Sequence, residues 1–100
     1  MVFTSGFIEY TSKMKLSYAD YLSENNKDKI EESDIEKWIN QIITTYESLD
    51  NIGVLMNYFG VPKKYIESIK ARKYKVECTN YVNYNKNKSM MLDLKITIEK

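Results

Sequence analysis

Leu92-Asp93-Leu94-Lys95-Ile96-Thr97-Ile98-Glu99 alternates apolar and polar residues without exception. Successive side chains of an extended chain point to opposite faces, so this period of two specifies a half-buried β-strand. A partner lies upstream, where Tyr74, Val76, Cys78, Val82 and Tyr84 share one parity and Asn80 is the exception. Tyr81 has the opposite parity and is expected to be an exposed ring. Between the two strands, Asn85-Lys86-Asn87-Lys88-Ser89 is polar and tolerant of turns, which predicts the tip of an antiparallel hairpin.

Moving upstream, the period becomes helical. Ile35, Trp38, Ile39, Ile42, Ile43 and Tyr46 recur at spacings of three and four, and Ser33 with Glu36 forms a capping-box pattern, so a helix is expected from Asp34. Trp38, on that apolar stripe, reads as core. Asp50 or Asn51 can cap a following helix that contains Ile52, Val54, Leu55, Tyr58 and Phe59 and stops at Gly60. Pro62 suits the first turn of another helix, with Tyr65, Ile66 and Ile69 as its buried side and an end near Arg72 or Lys73.

The first third is less patterned. Met14, Tyr18, Tyr21 and Leu22 have helical spacing, and Ser17 with Asp20 can cap a short helix ending near Ser23. The polar stretch Glu24 to Glu32 reads as a loop, and Phe3, Phe7 and Ile8 fit a short strand or a frayed helix equally well. The expected fold class is therefore α+β, three to four helices followed by a C-terminal antiparallel β-hairpin. One domain accounts for 1–100, divided into an N-terminal helical and loop segment (1–32), a helical core (33–73) and the hairpin (74–100).

Charge is distributed unevenly. The first fifty residues hold five lysines against ten acids, a net −5, whereas the last fifty hold ten basic residues against four acids, a net +6. A polyanion would sit on the second half. Lysine outnumbers arginine fourteen to one, and the abundance of Asn, Ile and Tyr resembles proteins of AT-rich genomes, their phages and mobile elements. No apolar run reaches the roughly 20 residues that a membrane-spanning helix needs, and Met1 to Tyr10 lacks the pattern of an export signal, so a cytoplasmic protein without membrane contact is expected.

The stretch Asn51-Ile52-Gly53-Val54-Leu55-Met56-Asn57-Tyr58-Phe59-Gly60-Val61-Pro62-Lys63-Lys64-Tyr65-Ile66-Glu67-Ser68-Ile69-Lys70 resembles the helix-turn-helix of DNA-binding proteins, with the motif at 51–72. Leu55 and Phe59 match the apolar pair of the first helix, Gly60-Val61 the turn, and Ile66 and Ile69 the pair that returns the second helix to the core. Met56 departs from the pattern, which has a small residue there. The hairpin that follows makes the resemblance one to the winged variety. The resemblance implies that Lys63, Lys64, Glu67 and Ser68 face nucleic acid, that Lys70, Arg72, Lys73 and Lys75 extend the basic surface, and that Lys86 and Lys88 on the wing contact phosphates or the minor groove.

Tyr81 interleaved with these lysines suggests a second mode, in which bases of a single strand stack on the ring. The implied partner is DNA, duplex or single-stranded, and the implied role is that of a small regulator or an accessory factor in replication or recombination. The alternative is a phage or mobile-element protein that binds and inhibits a host or defence protein. Its acidic N-terminal half would then meet that partner or a second copy in a homodimer.

Enzymatic readings find little support. There is no His and no glycine-rich phosphate loop, and the single Cys78 lies on the expected buried parity without a basic neighbour. Glu31, Glu32, Asp34 and Glu36 match no calcium-loop spacing, so neither metal nor cofactor is expected.

Overall fold

A computed structural model describes residues 6–99; Phe3 lies outside the described residues. The described residues form an α+β fold, with four α-helices and a three-stranded antiparallel sheet among them. The strands are β1 (Phe7–Ser17), β2 (Tyr74–Tyr84) and β3 (Ser89–Glu99), in the spatial order β1-β3-β2. The alternating stretch Leu92–Glu99 thus lies in the central strand. Leu92, Leu94, Ile96 and Ile98 on its inner face are between 0% and 2% exposed, and the helices cover that face alone.

The N-terminal segment corrects the expectation of a helical and loop region. Phe7–Ser17 is a long strand paired residue for residue with β3, and Met14 sits opposite Leu92 on β1 instead of sharing a helix with Tyr18. A spacing of four satisfies both a strand face and a helix face, and here tertiary pairing selects the strand. Ile8, Tyr10, Ser12, Met14 and Leu16 turn inward, while Phe7, Glu9, Thr11, Lys13 and Lys15 lie on the outer face. The helix that follows, α1 (Ala19–Glu24), buries Tyr21 and Leu22. Its N-cap is Tyr18 and not the expected Ser17; the Ser17 Oγ, one residue outside the cap, accepts the Ala19 N–H at 3.3 Å.

The long helix α2 (Glu32–Ser48) starts two residues earlier than Ser33 and Glu36 indicate. Its N-cap is Glu31, whose backbone N–H donates to Asp34 Oδ2 at 2.9 Å. The spacing of three is kept, but the acid that uses it is Asp34, which is 2% exposed and points inward. Ile35, Trp38 and Ile39 are buried along the expected stripe, and Trp38 meets the edge of Tyr18 with ring centroids 5.9 Å apart.

Next come α3 (Ile52–Tyr58), a turn at Phe59–Pro62, a 3₁₀ turn at Lys63–Tyr65 and α4 (Ile66–Lys70). The expected second helix is thus shorter and tighter at its start than Pro62 suggests, and it ends at Lys70, before the expected Arg72 or Lys73; Arg72, with φ 61°, belongs to the turn into β2. Asn85–Asn87 forms a 3₁₀ turn and Lys88 a left-handed residue at the hairpin tip. Among the described residues no helix is long and apolar enough to cross a membrane.

Candidate nucleic-acid interface

The helix pair is built around a turn that uses a left-handed glycine. Gly60 has φ +87°, a conformation that costs a Cβ-bearing residue energy, and its N–H donates to the Asn57 carbonyl at 3.0 Å while the Val61 N–H reaches back to Met56. Leu55, Phe59, Val61 and Ile69 are buried and Ile66 is half-buried. The close approach of the two helices falls at Gly53, where a Cβ would stand 2.7 Å from Ile66 Cδ1. Met56, the departure from the pattern, is absorbed into the core at 2% exposure.

This packing leaves Lys63, Lys64, Glu67 and Lys70 exposed on the outer side of the second helix, with Ser68 half-buried. Lys63 and Lys70 line a shallow groove with Asp50, Gly53, Asn57 and Ile66. Lys64 lies over the Tyr65 ring, 5.2 Å from its centroid, and Tyr65 packs against Tyr10 of β1. None of Lys63, Lys64, Lys70 or Lys73 has a carboxylate partner among the described residues.

Two of the expected contact residues are engaged elsewhere. The Arg72 guanidinium stands 3.7 Å from Glu47 on α2, which also accepts a 2.7 Å hydrogen bond from Tyr74 Oη, and burial together with that carboxylate pushes the Tyr74 phenol well above its usual range. Lys75 lies on the outer sheet face, 3.8 Å from Glu77.

The hairpin corrects the expectation for Tyr81. A β-bulge at Thr79 separates Cys78, opposite Leu94, from Asn80, opposite Asp93, so two residues of β2 occupy the space of one on β3. Every residue beyond it changes face. Tyr81 turns inward opposite Leu92 and packs half-buried against the core, whereas Val82 and Tyr84 turn outward, 51% and 40% exposed. Asn80, the exception to parity, was the available signal. Cys78 is half-buried beside the bulge, and burial raises its thiol pKa.

The exposed ring among these tyrosines is therefore Tyr84. The Lys15 ammonium from β1 stands 5.0 Å from its centroid, and Lys86 and Lys88 follow it at the exposed tip. This second basic cluster lies at the hairpin tip, at the opposite end of β2 from its junction with α4. Nine residues of strand separate the tip pair Tyr84 and Ser89 from the far pair Tyr74 and Ile98, a span of about 30 Å. The structure brings Lys63 and Lys70 to one groove, with exposed Lys64 and Glu67 on the same short segment, and brings Lys15 to Tyr84, which exposed Lys86 and Lys88 follow in the chain. Comparison with family models, curated proteins and solved structures finds no match to this chain.

Proposed function

We propose that this protein is a non-catalytic nucleic-acid-binding protein of the winged helix-turn-helix type. The observation that carries the reading is the surface of the second helix. Four residues after the Gly60 turn, Lys63, Lys64, Glu67 and Lys70, stand in solvent, and the three lysines have no carboxylate partner among the described residues. Unpaired lysines release counterions when they meet phosphates and provide affinity with little base information. The arrangement favours a binder of weak sequence preference, in keeping with a small regulator or an accessory factor acting on DNA. The cluster of Lys15, Tyr84, Lys86 and Lys88 supports a contribution from unpaired bases, since a ring flanked by cations suits stacking along a charged backbone.

Mobility shifts with random duplex and single-stranded DNA at two salt concentrations test the reading. Lys63→Glu with Lys64→Glu is expected to weaken duplex binding about tenfold or more at low salt and to leave the melting curve unchanged, because both side chains are exposed. Unchanged affinity would remove the helix-turn-helix reading. Retention of a copurifying protein without any DNA binding would favour the alternative, a protein that acts on a protein partner.

A further inference from the structure

The outer edge of β1 is open. All eleven residues Phe7–Ser17 pair with β3 on one side, and among the described residues no backbone hydrogen bond reaches the other side. An edge of this length usually carries a proline, a bulge or an inward-pointing charge that discourages a further strand. β2 has such a device in the Thr79 bulge; β1 has no proline, bulge or inward charge. Its lysines are held over the outer face by Asp93 (Lys13, 3.7 Å) and the Tyr84 ring (Lys15, 5.0 Å), and its inward side chains are Ile8, Tyr10, Ser12, Met14 and Leu16.

We infer that β1 pairs antiparallel with β1 of a second copy about a two-fold axis at Ser12, joining two sheets into one of six strands. The register follows from the strand itself. Ser12 is the midpoint of Phe7–Ser17, so centring the axis there is the one arrangement that pairs all eleven residues. Full overlap sets Glu9 opposite Lys15 of the second copy, twice by symmetry, with Thr11 opposite Lys13 and two small serines at the axis. On the inner face it sets Tyr10 opposite Met14 and Ile8 opposite Leu16, both apolar pairs. Moving the axis one residue on, to Lys13, would oppose two lysines directly and shorten the overlap. The maximal register is thus also charge-complementary, which is what a self-complementary two-fold contact requires.

A second feature lies beside the same edge. Met14 and Leu16 of β1 form one wall of an apolar groove completed by Ile42 and Tyr46 of α2 and by Val54 and Tyr58 of α3. Val54 and Tyr58 are 63% and 71% exposed, large apolar surfaces that the single chain leaves in water. A two-fold axis perpendicular to the sheet keeps the helices of both copies on one face. The second copy's Ile8 and Tyr10, opposite Leu16 and Met14, then arrive at the mouth of this groove. The exposed apolar side chains and the open edge are accounted for by one contact.

Sedimentation equilibrium of the full chain over a range of concentrations tests the proposal, with melting curves to confirm that each variant is folded. The parent is expected to show a monomer–dimer equilibrium. Glu9→Lys opposes two pairs of like charges and is expected to weaken the dimer about tenfold or more, as is Lys15→Glu, while the double variant Glu9→Lys with Lys15→Glu restores it. Tyr58→Ser is expected to weaken it without changing the charge. A parent that stays monomeric up to millimolar concentration would overturn the proposal. So would a dimer indifferent to both charge reversals, or a double variant no better than either single one.

Discussion

At the scale of single residues, two positions hold the helical layer in place by different physics. Gly60 does so through backbone conformation. Its φ of +87° lies where a β-branched residue is strained, and nothing stands within 4 Å of the site of a Cβ, so the cost of substitution is conformational and not steric. Gly60→Val is expected to destabilise by roughly 1 to 3 kcal/mol in chemical denaturation. A smaller effect for Gly60→Ala would still leave the strain visible. Asp34 acts through charge. Its buried carboxylate accepts the Glu31 N–H, stands 3.2 Å from the Lys27 ammonium and accepts Tyr21 Oη at 3.1 Å, and these donors, the Glu31 N–H first, hold its pKa below the ordinary value. A carboxyl with a depressed folded pKa binds protons more readily when unfolded, so its contribution is fully present above about pH 4 and is lost as the pH falls through the folded value. Melting temperatures measured between pH 7 and pH 2 are expected to decline below about pH 4, and Asp34→Asn should start lower and decline less steeply. A parallel decline in both proteins would show that other carboxylates set the acid limit.

At the scale of elements, the strands show where periodicity is decisive and where it is silent. The period of two in Leu92–Glu99 located the central strand, and the helical stripe from Ile35 to Tyr46 located α2, because in each case one face is buried along its whole length. The N-terminal strand was not legible in the same way. Met14, Tyr18 and Leu22 are spaced by four, an even number that fits a strand as well as a helix, and the pairing with β3 that decides between them is a contact some eighty residues distant in sequence. The Thr79 bulge is a different failure, since one inserted residue inverts the parity rule for everything after it. The basic positions of the candidate interface were readable from charge and turn chemistry, but the exposed ring is Tyr84 and not Tyr81 as a direct result of the bulge. The two tyrosines are expected to separate cleanly on mutation. Tyr81→Ala empties part of the core and is expected to cost about 1 to 3 kcal/mol, less than a fully buried aromatic, with little direct effect on nucleic acid. Tyr84→Ala is expected to leave the melting temperature nearly unchanged and to weaken single-strand binding by about tenfold, as the loss of one stacking ring does. Equal, small effects of Tyr84→Ala on duplex and single strand would reduce that ring to an ordinary exposed strand residue.

At the scale of the whole molecule, helices cover one face of the sheet and the other faces solvent, with its charges largely neutralised in place. On that outer face Lys13 pairs with Asp93, Lys95 with Glu9 and Lys75 with Glu77. Part of the positive excess of the second half of the sequence therefore emerges at the two ends of the sheet, in a body 48 × 28 × 19 Å in extent: Lys73, whose carbonyl accepts the Glu99 N–H, follows Lys70 at one end, and Lys86 and Lys88 form the tip at the other. A span of about 30 Å corresponds to about nine base pairs of duplex. Duplex length is thus a ruler for deciding whether one nucleic acid runs over both ends. In the Glu9→Lys background, at concentrations where sedimentation shows single protomers, Lys70→Ala with Lys73→Ala and Lys86→Ala with Lys88→Ala are each expected to lower the salt slope by about 2 on a duplex of about twenty pairs. On a hairpin-closed stem of about six pairs only one end can be engaged at a time, so removing the weaker pair should change nothing while removing the stronger one shifts binding to the other end. Equal losses on the long and short duplexes would mean that both clusters already contact the short stem, and the molecule would have to bend its nucleic acid across the helical face. A loss confined to Lys70 and Lys73 at both lengths would leave the hairpin tip free for single strands alone.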